Sequence, residues 1–174
     1  LAPDGGLYLP AEYPQVTSAE LDAWRTLSYA DLAYEILRKF ATDIPDADLK
    51  AITTRTYTPA VYCNARAGES AAEITPLRVL EDGRNGKLIL QALSNGPTLA
   101  FKDMAMQLLG NLFEYALAKS NDELNIFGAT SGDTGSAAIE AFRGRDTTDI
   151  FILHPQGRTS PVQRRQMTTV LDAN

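Results

Sequence analysis

The chain has 174 residues, 44% of them hydrophobic and 22% charged. It is too apolar for a disordered tail and too short for a complete large enzyme, so it reads as one domain or part of a larger protein. Lys and Arg number 16 against 22 Asp and Glu, a formal charge of −6, and an acidic chain without a basic block is not built to bind nucleic acid or an anionic membrane.

Cys63 and His154 are each the only residue of their type. An internal disulfide, a thiolate zinc cage and paired-histidine chemistry are therefore excluded within one chain. The longest apolar runs, such as Leu88–Leu90 and Ile150–Leu153, are far too short to span a bilayer. No secretory signal is visible, so the cytoplasm is the default expectation. The chain opens on Leu1 and not Met, and an upstream segment is expected to be missing.

In chain order, Pro3, Gly5, Gly6, Pro10 and Pro14 punctuate the start. This reads as loop and turn, with Leu7 to Leu9 a short extended piece. Ser28 offers an N-cap, and Leu32, Ala33, Ile36, Leu37 and Phe40 follow at helical spacing, predicting an amphipathic helix from Ser28 to Ala41. Pro45 suits a first helical position and Asp46 and Asp48 a first turn, so a second helix runs to about Thr54. Residues 1–74 are thus expected to form a mainly helical region.

From 75 to 174 an α/β domain is expected. Leu77–Glu81 and Lys87–Leu93 flank the turn cluster Asp82-Gly83-Arg84-Asn85-Gly86 and predict a hairpin. After Asn95-Gly96-Pro97, the segment Phe101 to Lys119 has no internal Pro and is apolar around most of its circumference. Such a helix is expected to lie buried in a larger body. Leu124–Ala129 and Asp149–Leu153 read as strands, Thr134–Phe142 and Ser160–Val170 as helices. That alternation predicts a parallel sheet with a right-handed crossover, here a partial three-layer one. Parallel strands need cover on both faces, so the chain is expected to be a fragment, completed by the rest of its own chain or by a homo-oligomeric mate.

Three segments carry chemistry. In Asn95-Gly96-Pro97-Thr98-Leu99-Ala100-Phe101-Lys102-Asp103, Lys102 falls at a helix N-terminus, where the dipole disfavours a cation. Leu99, Ala100, Phe101 and Met104 would also desolvate it. Either this is an amine poised for Schiff-base chemistry with an aldehyde cofactor, or it is a lysine paired with Asp103. The second segment, Thr130-Ser131-Gly132-Asp133-Thr134-Gly135-Ser136, joins a strand to a helix at the edge where open α/β sheets bind ligands. Its free N–H groups and the Ser131 and Thr134 hydroxyls make either an anion cradle or a plain helix cap. It is neither a P-loop nor a dinucleotide fingerprint. The third, His154 to Gln163, leaves the next strand. Arg158 there either meets a phosphate or carboxylate or stays solvated, Ser160-Pro161 opens a helix, and His154 is expected to be a satisfied strand-end residue.

These residues carry a resemblance. Gly96-Pro97-Thr98-Leu99-Ala100-Phe101-Lys102-Asp103, then Ser131-Gly132-Asp133-Thr134-Gly135, then His154-Pro155 through Ser160-Pro161 and Gln163 to Met167, resemble the threonine synthase family. Pro3-Asp4-Gly5-Gly6-Leu7-Tyr8 and Thr75-Pro76-Leu77 are similar to that family's amino-terminal signatures. The resemblance implies a fold-type-II pyridoxal 5′-phosphate lyase acting on O-phospho-L-homoserine, a small amino-acid phosphate. It makes Lys102 the Schiff-base lysine and places Phe101 and Asp133 at the cofactor. Ser131, Gly132, Thr134, Gly135 and Arg158 then fall to the substrate. Relatives more often carry His where this chain has Asn95, and Asn where it has Asp133. The family's cup for the cofactor phosphate would lie beyond Asn174, so the segment alone is expected to be inactive. Two other functions remain open: a related phospholyase or a β-replacing or deaminating enzyme, and a packing domain without catalysis.

Overall fold

A computed structural model describes residues 2–83 and 86–174. Arg84 and Asn85 of the turn cluster lie outside the described residues. The chain clusters into two compact units, Leu1–Thr54 and Arg55–Asn174.

The first unit is helical. Helix α1, Ser18–Trp24, opens with a capping box: Thr17 Oγ1 accepts from Glu20 N, and Glu20 accepts from Thr17 N. This helix lies in the stretch expected to be loop and turn, and Thr-x-x-Glu is its signature. Helix α2, Tyr29–Leu37, starts at the expected Ser28 cap, whose Oγ accepts from Asp31 N. It stops four residues short of Ala41. Lys39 Nζ reaches back to Glu20 Oε1 at 2.5 Å and holds that carboxyl down at a pKa of about 2, below its ordinary 4.5, helped by the Thr17 hydrogen bonds. Helix α3, Asp46–Thr56, follows Pro45, whose carbonyl accepts from Asp48 N and Leu49 N. It buries Leu49 and Ile52 almost completely.

The second unit carries the sheets. Strands β1 (Leu77–Gly83) and β2 (Gly86–Gln91) pair antiparallel, as the hairpin pattern predicts, with an irregularity in register between Val79 and Glu81. Helix α4 spans Asp103–Ser120 and ends on Asn121 in the left-handed conformation. Strands β3 (Leu124–Ala129) and β4 (Thr148–Leu153) pair in parallel, with helix α5 (Asp133–Phe142) as the crossover and helix α6 (Pro161–Thr168) after β4.

Alternation decides which sheet face is covered. Ile126, Ile150 and Ile152 are half-buried, and α5 packs against α4 through Phe142 and Phe113, ring centroids 5.6 Å apart. On the opposite face Phe127, Phe151 and Leu153 are 71%, 53% and 57% exposed. Two of the three expected layers are therefore present. Helix α4 departs from expectation: only Asp103 and Gly110 on it are fully buried, because one side is covered and the remaining apolar surface faces outward. The α5–β4 turn is pinned from the far end of the unit. Asn174 Nδ2 donates to the carbonyls of Phe142, Arg145 and Thr148, while its Oδ1 accepts from Gly144 N. No helix among the described residues is long and apolar enough to cross a membrane.

Candidate functional site

The turn from Asn95 to Lys102 is held from inside. Asp103 is completely buried. Its Oδ2 accepts from Thr98 N at 2.8 Å and its Oδ1 from Thr98 Oγ1 at 2.7 Å. Burial pushes its carboxyl above the ordinary range, against the opposing pull of the Thr98 hydrogen bonds. Gly96 lies so close that a Cβ there would sit 2.5 Å from the Asp103 side chain, so only glycine fits. Asn64 closes the outside, its N donating to Asn95 O and its Nδ2 to Gly96 O. Tyr62 Oη donates to the Asp103 carbonyl and Tyr57 Oη to that of Met104. Leu99 pays for the tightness with a φ of 63°, a conformation that costs a residue with a side chain.

Lys102 is the residue immediately before α4, in helical conformation and without a side-chain cap. Its side chain is 30% exposed, and Nζ lies 3.9 Å from Asp133 Oδ2 and 4.8 Å from the centre of the Phe101 ring. The alternative of a pairing with Asp103 is not what forms, since that carboxylate is turned inward onto Thr98. The desolvating sheath is also incomplete: Leu99 and Phe101 are 55% and 60% exposed.

The strand-end loop differs from a free anion cradle. Thr130 Oγ1 accepts from Gly132 N at 3.0 Å and Gly135 N at 2.9 Å, so two of the expected N–H donors are already used. Ser136 Oγ donates to Gly132 O. Gly132 has φ 151°. Gly135 abuts Thr130, whose Cγ2 would be 2.3 Å from an added Cβ. Ser131, Asp133 and Thr134 remain exposed and give the loop two hydroxyls and one carboxylate facing outward.

On the third segment Arg158 is exposed; its backbone N–H donates to Pro155 O. His154 is only half-buried, yet its Nδ1 is buried and without a partner, unlike the satisfied histidine expected. Asn95 is 1% exposed with neither amide atom bonded. Ser160 caps α6, with Gln163 completing a capping box. Gln163 Nε2 also donates to Asp133 Oδ1, and Gln166 Nε2 donates to Thr98 O at 2.9 Å. Neither contact had a signal in the sequence, since the partners lie 30 and 68 residues apart. No group of three or more His, Cys, Asp or Glu among the described residues is placed to hold a metal.

An α/β protein with a lysine and a carboxylate meeting at the carboxyl edge of a parallel strand pair is the class defined by this fold and site. A family model described as the threonine synthase N terminus matches residues 1–57. Threonine synthase of Methylobacillus glycogenes is 54% identical over all of this chain, which covers 36% of that protein. A solved structure of PLP-bound threonine synthase from Brucella melitensis is 48% identical, with a TM-score of 0.79 over 95% of this chain and 33% of its own. The yeast enzyme is 45% identical, with a TM-score of 0.84 over 99% and 34%. In sequence and in fold the chain is similar to these threonine synthases over nearly its whole length. It spans about a third of the length of the curated relatives it matches.

Proposed function

We propose that this chain is the lysine-bearing part of a pyridoxal 5′-phosphate-dependent threonine synthase, cytoplasmic and of fold type II, that turns O-phospho-L-homoserine and water into L-threonine and phosphate. The observation that carries this reading is the meeting of Lys102 with the Ser131–Gly135 loop, Nζ 3.9 Å from Asp133 Oδ2.

The residues present fit the cofactor. A half-buried primary amine stands beside a carboxylate without a short hydrogen bond to it, which suits an amine that must condense with an aldehyde. When bound, the cofactor supplies the electron sink. Lys102 holds it and, once freed by substrate, holds and moves protons at the substrate α and β carbons. Phe101 offers its ring beside the lysine, and Asp133 offers its carboxylate to the cofactor hydroxyl. Ser131 and Thr134 present hydroxyls to the substrate carboxylate, Gly132 and Gly135 shape the loop that presents them by leaving room for Gln163 and Thr130, and Arg158, exposed on the segment after β4, is the cation for an anionic group.

The test is borohydride reduction of the full-length protein followed by peptide mass mapping. A cofactor adduct on the Lys102 peptide is expected, and Lys102→Ala is expected to abolish both the adduct and the visible absorbance. Retention of the absorbance in that variant would remove Lys102 from its role. Release of phosphate with a keto acid in place of threonine would instead favour a deaminating relative.

A further inference from the structure

Gln163 and Gln166 stand three residues apart on α6 and so share one face of the helix. That face is hydrogen-bonded to both loops of the site. Gln166 holds the carbonyl of Thr98, in the turn that carries Lys102. Gln163 holds Asp133 Oδ1, while its own Oε1 accepts from Ser160 N. The seat for Gln163 is made by Gly132, where a Cβ would fall 2.5 Å from the Gln163 amide carbon. With Oδ1 held by Gln163, the other oxygen of Asp133 stands 3.9 Å from Lys102 Nζ, beyond hydrogen-bond length.

We propose that Gln163 is a positioning residue that tethers the Asp133 carboxylate away from Lys102, so that the amine is steadied by a nearby charge and not locked in a short ion pair. This rests on the reading of Lys102 as the Schiff-base lysine. Gln166 fixes the opposite loop, and the two glutamines together set the gap. Without the tether, Coulomb attraction draws the carboxylate in to about 2.8 Å, and at an effective dielectric of about 40 the ammonium gains roughly fourfold over the free amine.

The test is the reactivity of Lys102 in the full-length protein freed of cofactor. Trace acetic anhydride at a fixed pH, with the other lysines as internal standards, measures the free-amine fraction by peptide mass spectrometry. Gln163→Glu keeps an acceptor for Ser160 N, and so the capping box, but cannot donate to Asp133. Gln163→Met keeps the length without charge or donor. Acetylation of Lys102 is expected to fall about fourfold in Gln163→Met and at least as far in Gln163→Glu, whose added carboxylate also favours the ammonium, with the melting temperature of Gln163→Glu close to wild type. An unchanged or faster Lys102 in either variant overturns the proposal; a loss in Gln163→Met alone overturns it too, since that pattern reports the cap. Persistence of the visible absorbance in the loaded Lys102→Ala protein would defeat the Schiff-base reading instead, and leaves the acetylation result to stand on its own.

Discussion

Replacing Asp103 by Ala is expected to open the turn that carries Lys102. The carboxylate makes two hydrogen bonds to Thr98, at 2.8 and 2.7 Å, in a fully buried setting. Bonds to a charged group contribute roughly 1.5–3 kcal/mol each. Those figures are net of dehydration; between its charged and neutral forms dehydration outweighs the bonds, which is why its pKa is raised. The variant also leaves the Thr98 N–H buried without an acceptor, at about 1–3 kcal/mol. A net loss of about 3 kcal/mol follows, or roughly a hundredfold faster local opening. Asn at 103 keeps an acceptor for Thr98 N and offers its amide to Thr98 Oγ1, so about 1 kcal/mol is expected. The assay is hydrogen–deuterium exchange of the 96–103 peptide in the full-length protein. Because the folded pKa lies above the ordinary 3.8, the folded state binds the extra proton. Stability from this group therefore falls as pH rises from 3.8 through the folded value, and Asp103→Asn removes that slope. Equal exchange in wild type and Asp103→Ala, or equal damage from Ala and Asn, would refute the reasoning.

Gly96→Ala is expected to lower the melting temperature, since its Cβ would sit 2.5 Å from the Asp103 side chain and overpacking costs about 1–3 kcal/mol; an unchanged melt contradicts the close approach. Glu20, held at about pKa 2 against an ordinary 4.5, contributes stability fully present above 4.5 and lost as pH falls towards 2. Wild type should then lose more stability than Glu20→Gln over that range in acid melts, and parallel curves would count against it. Asn174→Ala removes the donor to three carbonyls and the acceptor for Gly144 N. Exchange across 143–148 should rise by about tenfold for a loss near 1.4 kcal/mol; unaltered protection there would show the pin to be idle.

Local chemistry was legible in the sequence where it acts over a few residues. Ser28 and Ser160-Pro161 mark helix starts that the structure has, and strand alternation gives the parallel pair. Thr17-x-x-Glu20 carries the same kind of signal, masked by Pro10 and Pro14 just before it. What acts across the fold was not legible. Asp103 adjoins Lys102 in the chain, yet its carboxylate serves Thr98; sequence proximity cannot show which way a side chain turns. Nor is every local contact legible: Thr130 takes the N–H groups of Gly132 and Gly135 from two and five residues away, and the residue types alone do not say whether such donors are free. The apolar circumference of α4 promised burial, but composition does not say how many neighbours a helix has. Gln163 reads as a cap residue alone, and its second bond depends on how α6 is set against a loop 30 residues earlier.

The contacts around Lys102 also differ in how much chain they must gather. Asp103 and Thr98 close a loop of five residues, which loses little entropy on closure and forms early. Gln166 and Thr98 are separated by 68, and their bond waits until β3, α5 and β4 have all been placed. The turn bearing the lysine is therefore expected to mature first, as a local knot of structure, and its alignment with the opposite loop last. Errors in late assembly would leave the amine well formed and badly aimed.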